Sequence, residues 1–295
     1  MMRRFPFLWI TFLLFGCGEE REDAEERATV SSASFKLVDL DDPQAREDVF
    51  HEAENFDDMK TRSKNGMDLI YPPKGKDPYT GWVRETYSDG EIKNLIHYEN
   101  GLQHGRSVWW QGNGRKSAQR FFLAGKPQGT WTIWDENGSK SEERHFKRGQ
   151  ADGPWMIWDR NGSKTEERHF IAGKPAGVWI AWRSHGEKAQ QQSFKDGQPD
   201  GPSTAWYANG QKSEERLYEM GQAEGGWNAW YENGQPAIEG LFANGKLVSA
   251  KVWQPDGEKC PVSEVVDGNG LLIRYKEDGT ESFRVSYEGG APLDN

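Results

Sequence analysis

The string Glu142-Glu143-Arg144-His145 recurs as Glu166-Glu167-Arg168-His169. Carboxylates beside imidazoles are the groups that hold zinc or move protons. The spacing argues against both. Glu143 and His145 share one face of a strand, but two ligands make no site. Equivalent residues of the two strings would lie two strands apart, about 10 Å, whereas zinc ligands must come within about 2 Å of one ion. Adjacent units place Ser193 and Leu217 where the His would stand. The strings therefore read as solvated cross-strand ion pairs, and no metal or other cofactor is expected. None of the six His residues (51, 97, 104, 145, 169, 185) stands beside a nucleophile signature. The glycines mark hairpins, with no helix after them to cradle a phosphate. An enzyme is not expected.

The chemistry that remains is stacking. Trp110, Trp134, Trp158, Trp182, Trp206 and Trp230 are spaced by 24 residues. On one face of a sheet they would stand about 10 Å apart. Exposed, such a row could stack on sugar rings, peptide side chains or a partner sheet. Packed, it would hold the sheet together against small residues opposite. The second role is the more economical reading.

The elements that must carry this row are written with the same period. Gly105, Gly129, Gly153, Gly177, Gly201 and Gly225 open each copy, and Gly114, Gly138, Gly162, Gly186, Gly210 and Gly234 follow nine residues later. Such a period marks a repeat architecture. Asn137-Gly138 and its equivalents predict a two-residue type I′ hairpin turn. A second Gly-bearing turn, at Arg148-Gly149 and its equivalents, returns the chain to the next copy. Two reversals per unit give two antiparallel strands. The prediction is an all-β, elongated, single-sheet antiparallel β-meander of 24-residue hairpins. The assumed loop sets Trp134 opposite Ser141, Trp110 opposite Ser117, Trp158 opposite Thr165, Trp182 opposite Ala189, Trp206 opposite Ser213 and Trp230 opposite Ala237. It also sets Phe146 opposite Gly129, diagonal to Trp131. Upstream, Gly81, Asp89-Gly90 and Tyr98 add a copy; downstream, two degenerate copies bring the total to nine over residues 64–291.

Gly129-Thr-Trp-Thr-Ile-Trp-Asp-Glu-Asn-Gly138, followed by Phe146 and Gly149, resembles the bacterial variant of the MORN repeat, and Asp77-Pro78-Tyr79-Thr80-Gly81 is similar to the entry segment of such proteins. The resemblance implies a β-hairpin repeat fold. It also implies membrane association or protein scaffolding, or an antitoxin of the YwqK type.

The N-terminus carries an address. Arg3 and Arg4 precede an apolar stretch, Phe5 to Phe15. It is too short to span a bilayer, which takes about 20 residues, but suits a signal peptide. Leu14-Phe15-Gly16-Cys17 resembles a bacterial lipobox, with residues 1–16 removed and Cys17 lipidated. Ordinary secretion or an uncleaved anchor are the alternatives. Gly18 favours the outer membrane where one exists. Residues 17–63 read as lipidated Cys and acidic tether, with Pro43 to Met59 a candidate short helix. With Cys17 carrying lipid, Cys260 has no disulfide partner.

The chain has 37 Lys+Arg against 47 Asp+Glu, a net charge of −10. Losing Arg3 and Arg4 makes it 35 − 47 = −12. No basic stripe suggests nucleic acid, and no Lys/Arg cluster suggests that the repeats bind anionic lipid. The expected function is a non-enzymatic, membrane-anchored envelope lipoprotein that scaffolds a protein partner. The alternatives are an antitoxin that neutralises a toxin by binding, and a glycan-binding surface on the Trp row.

Overall fold

The structure, a computed structural model, describes residues 38–293. The expected signal peptide, residues 1–16, Cys17 and the expected tether up to residue 37 lie outside the described residues.

Eighteen strands, from Gly81–Thr86 to Glu281–Glu288, follow one another as antiparallel neighbours in chain order. They are the nine copies of the meander. Glu54–Asn55 adds a short parallel edge against Val83 and Arg84, and Ala291–Pro292 closes the far edge, giving a 20-stranded open sheet. One middle copy pairs Lys126–Trp134 with Lys140–Lys147; the next pairs Gln150–Trp158 with Lys164–Ile171. Phe146 lies opposite Gly129, as the pattern required, and the Trp131 and Phe146 rings are 4.6 Å apart.

The turns are the reverse of expectation. Asn137-Gly138 does not form a two-residue turn, because Gly138 has φ +85° while Asn137 stays out of the positive region. The loop has three residues, Glu136, Asn137 and Gly138. Asp135 and Ser139 close it, with the Gly138 N–H donating to the Asp135 carbonyl at 3.0 Å and Asp135 N–H to Ser139 O at 2.9 Å. This is a type I turn followed by a glycine bulge. Asp135 Oδ1 accepts from both Asn137 N–H and Ser139 N–H at 2.9 Å, so the acid organises its own loop. The bulge shifts the register between Ile133 and Trp134, and Trp134 pairs with Lys140, not Ser141. Trp110 likewise meets Lys116, Trp158 Lys164, Trp182 Lys188, Trp206 Lys212, and Trp230 Pro236.

The two-residue turn with both residues at positive φ is the other one. Arg148 (φ +52°) and Gly149 (φ +89°) connect Lys147 to Gln150. Ala124, Ala172 and Met220 hold the same left-handed conformation, which costs a non-glycine residue about 1–2 kcal/mol. Bonds to the preceding copy offset this. Gly149 N–H donates to Pro127 O, Gly173 N–H to Ala151 O and Gly221 N–H to Pro199 O, each at 2.8 Å. The residue just before the opening glycine accepts from the strained residue's own N–H: Gln128 from Arg148, Asp152 from Ala172, Asp200 from Met220 and Glu224 from Asn244. The tip can reach back because the opening glycine breaks the ladder. Gly153 has φ +111°, and the register skips from Ala151 opposite Phe146 to Trp155 opposite Arg144.

Core residues gather at the two ends of the sheet. Ile70, Val83, Ile96 and Tyr98 form one cluster. Trp227, Ile238, Leu247, Val252, Cys260, Val265 and Leu272 form part of the other. From residue 119 to 226 the buried positions are Thr132, Ala176 and Thr204. The helix Pro43–Glu52 belongs to the first end. Asp42 caps it by accepting from Ala45 N–H at 3.1 Å, Pro43 starts its first turn, and Val49 is buried. Arg84 donates to Phe50 O across that contact. Thus Leu40 to Met59, read from sequence as tether with a possible helix, packs on the sheet, while Lys60–Lys64 pairs with Met67–Tyr71 in a separate two-stranded sheet.

Candidate interaction faces

Alternation along each strand sends two different rows of side chains outward. In the copy 126–147, one face carries Trp131, Ile133, Glu142, Arg144 and Phe146. The other carries Thr130, Thr132, Trp134, Glu143 and His145.

The first face is a ladder of rings. Phe122 and Trp131 lie 5.1 Å apart, Phe170 and Trp179 5.2 Å, and Trp179 and Phe194 4.4 Å. Guanidinium groups cover the indoles: Arg144 is 4.0 Å from the centre of Trp155, and Arg216 is 4.5 Å from Trp227. Both arginines, and Arg168 over Trp179, also pair with a carboxylate two residues earlier: Glu142 with Arg144 and Glu214 with Arg216 at 2.5 Å, and Glu166 with Arg168. Indole N–H groups find acceptors at Phe121 O and His169 O, both 2.9 Å away. The sequence reading passed over Trp131, Trp155 and Trp179 as a functional row. Their 24-residue spacing was the signal.

The second face carries the row singled out from sequence. Trp134, Trp158, Trp182, Trp206 and Trp230 are half-buried, and Trp110 is buried. The lysine of the preceding copy lies over each of four rings: Lys116 over Trp134 at 5.7 Å, Lys140 over Trp158 at 5.4 Å, Lys164 over Trp182 at 5.7 Å and Lys188 over Trp206 at 5.8 Å. The bulge at the three-residue loop makes this possible, because it turns each lysine, such as Lys140 opposite Trp134, onto the Trp face, from where it reaches the ring of the next copy, Trp158.

The Glu-His pairs sit on this same face. Glu143 accepts from Lys140 at 2.6 Å and lies 3.2 Å from His145; Glu167 does the same with Lys164 at 2.8 Å and His169 at 3.0 Å. Burial pushes the Glu143 carboxyl up, but Lys140 and His145 outweigh it and hold it below the usual range. Lys164 and His169 hold Glu167 low against a smaller burial effect. Thr130 Oγ1 lies 3.3 Å from His145 Nδ1, giving a hydrogen-bonded row Thr130–His145–Glu143. The next copy has Pro154 at the Thr position, so the row does not repeat. Among the described residues no three metal-ligating side chains converge. No helix among them is long and apolar enough to cross a membrane.

What this geometry can do is present two periodic arrays of rings and paired charges. A comparison with curated proteins finds no match. The family model described as MORN repeat variant matches residues 127–148. That span runs from the first strand of one copy through the three-residue loop to the left-handed turn at Arg148, and the match supports a MORN-repeat protein.

Proposed function

We propose that this chain is a non-enzymatic scaffold for protein–protein interaction, anchored at the bacterial cell envelope through lipid on Cys17. One observation carries the scaffold reading. Between residues 119 and 226 the sheet buries only Thr132, Ala176 and Thr204, so its two faces of rings and ion pairs are largely open, apart from Arg274 reaching back to Glu214 at 3.2 Å. Repeat surfaces of this kind bind partners along their faces. The Trp row supports a protein partner better than a glycan, since Lys140, Lys164 and Lys188 already occupy ring faces that a sugar would need. The address rests on Arg3, Arg4 and the Leu14–Cys17 motif.

Crosslinking of the full-length protein in intact cells, followed by affinity purification, tests the scaffold. The expected result is a reproducible envelope protein whose crosslinks fall on residues 119–226. Crosslinks confined to other segments, or none above background, would sink the reading. Mass spectrometry of the N-terminal peptide tests the anchor separately. A diacylglyceryl group on Cys17 is expected, and an unmodified Met1 in the soluble fraction would overturn it.

A further inference from the structure

Two copies depart from the repeat along the Trp row. In three copies the lysine above the Trp row has an acid of its own three residues on: Lys140 with Glu143, Lys164 with Glu167, and Lys212 with Glu215 at 2.7 Å. In two copies that residue is glutamine, Gln119 and Gln191. These two copies also carry a second cation near the lysine. In the first it is Arg106. In the second it is Arg183, which stands where Tyr207 and Tyr231 stand in later copies.

The first of these sites is filled by the chain itself. Asp39-Leu40-Asp41 lies across it. Arg106 pairs with Asp41 at 2.9 Å and with Asp39 at 3.6 Å, Lys116 pairs with Asp41, and Leu40 between them is fully buried. Gln119 takes no part in holding Lys116 and instead accepts from Arg106. Beside this segment the helix brings Arg46 to 5.7 Å from the Trp110 ring, and Trp110 is the buried member of its row. The molecule thus shows what its own Trp-Lys surface takes: an acidic segment with an apolar residue between two carboxylates.

The second site keeps the lysine but takes its other cation from a different position, Arg183 standing in the loop where the first copy has Gln111. Lys188 Nζ lies 5.8 Å over the Trp206 ring and reaches the neutral Gln191 Oε1 at 2.9 Å. Arg183 Nη2 donates to the carbonyl of that same Trp206 at 2.6 Å, and its Nε is buried without a partner. Among the described residues neither cation forms an ion pair. Val178, at the position of Arg106, is exposed. Two cations at one residue, Lys188 over the Trp206 ring and Arg183 on its main-chain carbonyl, with no ion pair of their own, favour a carboxylate brought from outside.

We propose that Arg183, Lys188 and Trp206 form a docking site for an acidic segment of a partner protein, of the form carboxylate–apolar–carboxylate, the kind of segment that Asp39-Leu40-Asp41 presents to Arg106 and Lys116. The proposal deepens the scaffold reading and rests on it. The site differs from the remaining copies in chemistry, so binding is local to one unit and not spread along the row. The chain's own segment keeps the Arg106–Lys116 site filled, because its tethering gives a high effective concentration there.

The probe is a synthetic peptide with the sequence of residues 38–52, titrated at low ionic strength into the full-length protein and read by calorimetry. One-to-one binding is expected. A peptide carrying Asn at the positions of Asp39 and Asp41 should bind about tenfold more weakly or worse, since two charge-assisted contacts are lost. The Arg183→Gln/Lys188→Gln protein should lose affinity for the acidic peptide by a similar factor. The Asn peptide tests the site on unmodified protein, so the result does not hinge on how the variant folds. Absence of binding at millimolar peptide, or equal affinity in either control, overturns the proposal. Neither outcome bears on the crosslinking result. A partner captured on residues 119–226 and retained by the double variant would keep the scaffold and discard this site.

Discussion

Trp155 and Trp227 occupy the same position of the same unit, three copies apart, and meet different surroundings. Trp155 is half-buried between Arg144 and Phe170, its N–H on Glu142. Trp227 is 3 % exposed and belongs to a core with Ile238, Leu247 and Val252. The strand opposite Trp155 carries Glu166 and Arg168; the strand opposite Trp227 carries Ile238 and Gly240 at the same places. A Cβ at Gly240 would come within 2.9 Å of the Trp227 ring, so the glycine is what lets the indole settle. Trading one ion pair for an isoleucine and a glycine, with apolar strands following, turns an open surface into a core. The unit's backbone is the same in both regions. What differs is whether its outward residues are charged, and so whether the free energy of the region comes from burial or from copy-to-copy bonds.

Truncating a side chain in each region should give the widest contrast. Ile238→Ala removes a fully buried side chain and should cost about 2–5 kcal/mol. Ile157→Ala, half-buried in the middle, should cost about 1 kcal/mol or less, because little apolar area is lost from cover. Urea unfolding followed by circular dichroism checks both. Equal losses would mean that the middle is as well covered as the end.

A smaller effect separates two kinds of glycine within the middle itself. Gly153→Ala forces a side chain into φ +111° and brings its Cβ to 3.1 Å from the Cβ of His145. Gly162→Ala meets nothing within 4 Å and carries only the left-handed strain of φ +80°. The second should cost about 1–2 kcal/mol, and the first should exceed it, since strain and crowding add. If Gly162→Ala proves the worse, the opening glycine is not what bends the hairpin.

The smallest contrast is in pH. Glu143 and Glu167 have folded-state carboxyls held low by Lys and His neighbours. Their stabilisation is present above the ordinary Glu range and is lost as pH falls through the lowered folded values. Tyr231 and Tyr275, in the buried end, behave oppositely. Burial and then Glu277 push Tyr231 up to about 12; the Cys260 hydrogen bond and then burial push Tyr275 up to about 12. Their contribution is full below the ordinary Tyr value of 10 and is lost as pH rises from there through 12. The middle should therefore weaken first in acid and the C-terminal end first in alkali. Glu143→Gln with Glu167→Gln should flatten the acid limb of thermal stability, and Tyr275→Phe the alkaline limb. An unchanged acid limb would show that these pairs are fully screened by solvent.

Sequence alone determined the sheet, its nine hairpins and the pairing of Phe146 with Gly129. A 24-residue period of turn glycines and alternating residues leaves a chain no other regular way to reverse and pair. It also set the Trp row on one face, since position within a strand fixes the side. It did not determine which turn is which. Asn-Gly suits a two-residue loop locally, but side-chain bonds within the loop and between copies favour three residues. Asn209 Oδ1 and Asn233 Oδ1 accept from Gln211 and Gln235 N–H in their own loops, while Asn209 Nδ2 donates to Glu232 O and Asn233 Nδ2 to Pro255 O in the next, all at 2.9 Å. The left-handed turn went instead to Arg148, Ala172 and Met220, whose strain is offset by acceptors 20 residues earlier in the chain. Nor could spacing reveal that Asp39 and Asp41 fold back onto Arg106 and Lys116, Asp41 lying 65 residues before the first. Local pattern carries what depends on neighbours in the chain. Partners chosen across copies depend on where the bulge and the bent glycine send each strand, and only the folded sheet sets that.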